Sequence, residues 1–177
     1  PVTLRYVCDL PPNMPESSGL AISDGLTFWS LNDSGGEPEI YHFDTTGQYF
    51  RPMRFSNAQN VDWEELTQDG QGHFYIGDFG NNDNNRKNLR IYKCPDPLPL
   101  STTSTTAQVI EFSYPDQVGF PPSKTMRRFD MEAMIWKNGQ IYLFSKNRTD
   151  PFDGMVHCYK LPDVPGTYTA TLVDSFY

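Results

Sequence analysis

The sequence is short of several things, and each shortage narrows what the chain can be. No run approaches the ~18 apolar residues of a membrane-spanning helix, so no membrane span is expected. The opening residues are not a charged-then-apolar leader, which a mature exported protein has already lost. Basic residues are few: 14 Lys and Arg stand against 22 Asp and Glu, a net charge of −8. That balance excludes nucleic acid as the expected partner, because nucleic-acid binders carry a basic stripe. The three cysteines, Cys8, Cys94 and Cys158, form no C-x-x-C pair and no zinc-like spacing. They read as buried free thiols, one disulfide with a thiol left over being the alternative. His42, His73 and His157 have no second histidine at ligand spacing and read as structural. Ser17, Ser18 and Ser34 lack a G-x-S-x-G context, so a serine hydrolase is unsupported. No stretch has a convincing helical period.

What is present is aromatic, turn-rich and repetitive. The stretch Asn60–Asn82, N-V-D-W-E-E-L-T-Q-D-G-Q-G-H-F-Y-I-G-D-F-G-N-N, reads as strand, tight turn and strand with acids at both outer ends. Glu16–Gly36 and Asp130–Thr149 repeat that layout. The turns fall at Asp24-Gly25, Asp69-Gly70-Gln71-Gly72 and Asn138-Gly139, pairs favoured in hairpins because those turns need positive φ. Two more strands follow each hairpin: Glu39–Asp44 and Gln48–Ser56, Leu89–Cys94 and Thr106–Tyr114, Met155–Leu161 and Tyr168–Phe176. The spacing from Glu16 to Asp62 is 46 residues, close to the ~40–45 of a four-stranded propeller blade. The 68 residues from Asp62 to Asp130 are stretched by two loops, Pro95–Thr105 and Pro115–Arg128.

The pattern predicts an all-β fold, a β-propeller of four-stranded antiparallel blades in one partial domain over residues 1–177. Residues 1–10 form a lone strand, and the blades span residues 15–57, 60–115 and 129–177. Trp29, Trp63 and Trp136 fall in the inner two strands and read as blade packing. Three blades cannot close a ring, since propellers have typically about 4–8. The chain therefore reads as the N-terminal half of a six-bladed ring. A second chain or a missing C-terminal half completes it, and the strand at residues 2–10 pairs with a strand from outside these residues.

In such a blade, the loop entering the first strand and the loop leaving the second share one face of the disc. Glu16 then lies near Asn32 and Asp33, Asp62 and Glu64 near Asp78, and Asp130 and Glu132 near Ser145 and Lys146, all at one mouth of the channel. Hard cations such as calcium need several oxygen ligands, which carboxylates, amides and carbonyls supply. Paired carboxylates also serve as acid and base, although no catalytic residue is singled out. Each acid taken alone has a structural reading, accepting backbone N–H bonds at a strand end. Together they point to a metal or ligand site, because burying several like charges is costly without a counter-ion. The Gly80–Asn85 run reads as a tight loop. Arg86 and Lys87 beside it offer charge for an anionic group, with plain exposed loop charge as the alternative, and Arg86 and Lys146 count as secondary site residues.

The set E-S-S-G-L, N-D-S-G-G, D-W-E-E-L, G-D-F-G-N-N and D-M-E-A-M resembles secreted six-bladed propellers of the TolB-like kind. More distantly it is similar to metal-dependent lactonases of the gluconolactonase type, which place an acid, an asparagine and an aspartate around a divalent cation. Glu16 matches the first by position, with E-S-S standing where the lactonases have E-G-P. The resemblance implies the fold and a secreted or periplasmic location. The expected function is binding of a divalent cation, calcium foremost, or of a small polar ligand at one channel mouth, with metal-assisted hydrolysis as its enzyme form. The alternative is a non-catalytic module whose outer loops bind a protein or glycan.

Overall fold

A computed structural model describes residues 2–177, and it is all-β. The first sheet holds β1 (Ser17–Ile22), β2 (Thr27–Asn32), β3 (Glu39–Asp44) and β4 (Tyr49–Phe55). The second holds β5 (Trp63–Gln68), β6 (His73–Asp78), β7 (Leu89–Pro95) and, past a short β8 (Ser104–Thr105), β9 (Gln108–Ser113). The third holds β10 (Asp130–Lys137), β11 (Gln140–Lys146), β12 (Val156–Pro162) and, past β13 (Gly166–Thr169), β14 (Thr171–Phe176). One 3-10 turn, Lys124–Met126, sits in the loop before β10. None of the three sheets is closed, and no helix among the described residues is long and apolar enough to cross a membrane.

The hairpin turns form where the sequence places them. Gly25, Gly70 and Gly72 have positive φ, and Asn138 and Gly139 sit at φ 52° and 75°, both left-handed, as a two-residue turn of the right twist requires. The first two hairpins also share one register. Ser17 pairs with Asn32 and Ala21 with Trp29; 46 residues on, Trp63 pairs with Asp78 and Thr67 with Tyr75. Each hairpin carries a bulge near the start of its first strand, between Ser18 and Leu20, Trp63 and Glu65, and Met131 and Ala133. A bulge turns one extra residue out of the ladder and twists the strand. At the first of these the extra residue is Gly19, against which the backbone N of Leu66 packs too closely for any Cβ.

Two cores bind the sheets face to face. Trp29, Leu31, Ile40, Met53 and Phe55 of the first sheet meet Trp63, Leu66, Phe74, Ile76 and Tyr92 of the second. Tyr75, Ile91, Ile110 and Phe112 on the opposite face of the second sheet meet Met134, Ile141, Leu143, Tyr159 and Leu161 of the third. Each such side chain contributes about 1.5–3 kcal/mol when fully buried, so the second sheet, covered on both faces, is the best anchored of the three. β5 lies between β1 and β10, which gathers the starts of all three first strands.

The structure corrects the expected strands in three places. Residues 2–10 form no strand, and Pro1 lies outside the described residues. An extended segment becomes a strand only against a partner edge, and residues 2–10 meet none; Cys8, expected in a strand, is instead half-buried there. The fourth strand expected at Tyr168–Phe176 divides at Ala170: β13 runs parallel to β9 of the second sheet, and only β14 pairs with β12. Likewise β8, in the loop expected at Pro95–Thr105, runs parallel to β4 of the first sheet. Both of these short strands thus pair with the sheet that precedes them in the chain. All three cysteines are free thiols, with Cys94 and Cys158 buried.

Candidate functional site

The site lies where the starts of β5 and β10 meet the ends of β2, β6 and β11. Backbone hydrogen bonds hold each strand start against its neighbouring loop. The Asp33 N–H donates to the Glu16 carbonyl at 2.9 Å, and the Gly80 N–H donates to the Asp62 carbonyl at 3.1 Å. Asn60 fastens the first sheet to the second, its Nδ2 donating to the carbonyls of Asn32 (3.1 Å) and Asp33 (3.0 Å). Asn81 and Asn84, both buried, fasten the second to the third. The Asn81 N–H donates to Asp130 Oδ1 at 2.6 Å, and Asn84 Oδ1 accepts the Phe129 N–H at 2.8 Å.

Of the acids expected at one mouth, Asp33, Asp62 and Glu64 present carboxylate oxygens within 4.8 Å of one another. Asp130 and Glu132 lie close enough for their charges to act on Glu64, and Asp78 and Asp130 close enough to act on Asp62. The remaining two expected residues, Glu16 and Asn32, are not part of that set. Glu16 is exposed and serves the site through its backbone carbonyl, and Asn32 spends its amide on the carbonyl of Asn13 at 3.0 Å.

Counter-charges divide the converging acids into two groups. Asp78, with no exposed side-chain surface, is paired with Arg86 at 2.9 Å; Arg86 also donates to the carbonyls of Gly80 and Asp78. Asp130 is paired with Arg148 at 2.7 Å, and Glu132 with Lys146 at 3.0 Å and Arg148 at 3.4 Å. Arg86 and Lys146 thus act as counter-ions of acids rather than as an anion site. No Lys, Arg or His among the described residues pairs with Asp33, Asp62 or Glu64.

The electrostatics follow from that division. Burial raises the Asp62 carboxyl to about 6, Arg86 opposing and Asp33, Asp130 and Asp78 adding to the shift. Burial raises Glu64 to about 9, reinforced by Glu132, Asp33, Asp62 and Asp130. Glu64 is only 6% exposed. Desolvation favours the neutral form of a carboxyl, and like charges add to it. A cation placed among these oxygens reverses both effects. The donors are all oxygen, the set that hard cations such as calcium take and that softer transition metals do not select.

Three residues shape the site in ways that the sequence pattern does not assign to them. Gly80 leaves room for the cluster: a Cβ built there would stand 2.5 Å from Asp62 Oδ2 and closer still to Glu64 Oε1. Arg148 sits in Asn147-Arg148-Thr149, where its spacing after β11 gave no sign of a buried partner across the sheet. Asn84 adopts φ 54°, a left-handed residue that the Asn-rich loop did signal in kind. No protein-family model matches the chain, and no curated protein matches it.

Proposed function

We propose that this chain is part of a β-propeller that binds a divalent cation, calcium foremost, through Asp33, Asp62 and Glu64 at one end of its first strands. The observation that carries the reading is the set of three carboxylates within 4.8 Å that alone among the converging acids lack a basic partner. Asp130 and Glu132, neutralised by Arg148 and Lys146, frame it. Loop carbonyls and water would complete the six to eight oxygens that calcium takes.

The propeller reading rests on three successive sheets, each built on a chain-consecutive hairpin with a bulge near the start of its first strand, packed face to face with first strands together. The outer faces of the first and third sheets favour further sheets of the same kind as partners, supplied by a second polypeptide or by a further stretch of this one. Leu20 is 57% exposed, whereas Leu66, at the same register position one sheet later, is 2% exposed. An exported location goes with the TolB-like resemblance, and calcium sites of extracellular modules work at affinities of ~10⁻⁴–10⁻³ M. The hydrolase form would use the cation to polarise an ester or lactone carbonyl.

The test is thermal unfolding with and without chelator, together with metal analysis of the purified protein. Calcium at about 100 times its Kd should add about 2.7 kcal/mol of stability. Asp62→Asn and Glu64→Gln should remove most of that gain while leaving the fold intact. No shift with calcium, magnesium or manganese would sink the cation reading. The non-catalytic module is the second reading, favoured by exposed Val118, Phe120 and Met126 in the loop before β10.

A further inference from the structure

The two connecting strands that sequence reasoning missed follow one rule. β8 leaves the second sheet, runs parallel to the outer strand β4 of the first, and returns at Ala107 to begin β9. β13 leaves the third sheet, runs parallel to the outer strand β9 of the second, and returns at Ala170 to begin β14. The registers coincide. Thr105 lies opposite Phe55 and Tyr168 opposite Phe112, and each phenylalanine is followed by a serine, Ser56 and Ser113. The segments read Ser104-Thr105-Thr106-Ala107 and Thr167-Tyr168-Thr169-Ala170. Both alanines are buried. The contact is made by backbone: the Arg54 and Ser56 N–H groups donate to the carbonyls of Thr103 and Thr105, each at 2.9 Å, and the Ala170 N–H donates to the Ser113 carbonyl at 2.8 Å.

β14 is the outer strand of the third sheet, and its outer edge pairs with no strand among the described residues. All six of its residues are exposed. Phe176 pairs with Val156 as Phe112 pairs with Leu89, so β14 repeats the position of β9. The Ser175 N–H, at the position of the Arg54 N–H, is turned to the carboxylate of its own neighbour Asp174 at 2.8 Å. We propose that the free edge of β14 is a docking site for one occupant: an extended Thr-rich segment ending in Thr-Ala, from another polypeptide stretch with this repeat. It adds as a parallel strand with its aromatic or threonine residue opposite Phe176. Strand addition of this kind draws its affinity from main-chain hydrogen bonds and its selectivity from alternate side chains. An open edge is also what proteins otherwise blunt with a charge, as Asp174 does here.

The test fuses a copy of the Gly166–Ala170 sequence to the end of the full chain through a flexible Gly/Ser linker of about 10 residues. Such a linker reaches about 17 Å and holds the segment at millimolar effective concentration, so weak affinity cannot hide the contact. A control fusion carries proline at both threonine positions of the copy, which removes the donors a ladder needs. Amide exchange of β14 is read in both. The fusion should slow exchange at Ser175 and its neighbours by about tenfold or more relative to the control, with β12 unchanged in both. Equal exchange in the two fusions, whether fast or slow, would overturn the proposal.

Discussion

Gly80 lies directly against Asp62: its N–H donates to the Asp62 carbonyl at 3.1 Å, and a Cβ in its place would stand 2.5 Å from Asp62 Oδ2. The clash is with ends of flexible side chains, so an alanine there can be accommodated only by moving the carboxyls of Asp62 and Glu64. Gly80→Ala is therefore expected to fold, with a modest loss of stability, and to lose cation affinity by at least the roughly 10–100-fold that disturbing a metal's outer shell costs. Calorimetric titration with calcium beside a thermal melt separates the two effects. Unchanged affinity would mean that these two carboxyls do not hold the cation.

Titration of the same pair sets a pH dependence. In the cation-free protein Asp62 titrates at about 6 and Glu64 at about 9, both above the ordinary carboxyl values of 3.8 and 4.5. Between the ordinary and the raised values the folded state holds protons that the unfolded chain has released. Stability from these two groups is therefore full below about pH 4 and is lost as pH rises through 6 and then 9. Glu64→Gln should flatten the decline between pH 6 and 9. Calcium should stabilise the protein more at pH 8 than at pH 5, because the cation competes with protons for the same oxygens. Melting temperatures across that range check both outcomes, and a calcium effect independent of pH would exclude Glu64 as a ligand.

Arg86 is the counter-ion on which the interior of the site depends. It is mostly buried and pairs with Asp78, which has no exposed side-chain surface and whose Oδ2 has no hydrogen-bond partner. Removing one partner of a buried pair leaves a bare charge and costs about 3–5 kcal/mol. Arg86→Leu should destabilise by about that much in denaturant titrations. The double change Arg86→Leu with Asp78→Leu should recover much of it. If Arg86→Leu is silent, the pair contributes nothing to the fold.

The hairpins were legible because each signal is local: an Asp-Gly or Asn-Gly turn between alternating strands needs no knowledge of the rest of the chain. The same holds for the tight Gly80–Asn85 loop, whose asparagines accept a left-handed residue such as Asn84. The meeting of Asp33, Asp62 and Glu64 is one of unlike positions: the loop leaving the first hairpin meets the start of the second, while Glu16, 46 residues before Asp62, is exposed. What the sequence hid is non-local. β8 and β13 are two and four residues long and pair with another sheet, so no periodicity marks them. Arg148 finds Asp130 and Glu132 only after β10 and β11 are in register. Residues 2–10 carry a strand-like alternation, but a strand needs an edge, and alternation alone does not supply one.

Leu20 and Leu66 occupy one register position in successive sheets, at 57% and 2% exposure. If only the chain's own sheets mattered, their substitutions would differ sharply. Leu66→Ala opens a cavity between the first two sheets and should cost about 2–5 kcal/mol. Leu20→Ala should change the stability of the isolated chain by no more than about 0.5 kcal/mol, as surface changes do. If a further sheet covers the first as the first covers the second, Leu20→Ala becomes costly in the completed assembly. Leu20→Lys then blocks the assembly outright by burying a charge. Denaturant titration of the isolated chain and mass measurement of the assembled particle report the two halves of this expectation. A neutral Leu20→Lys in the assembled particle would show that the open face of the first sheet is a true outer surface.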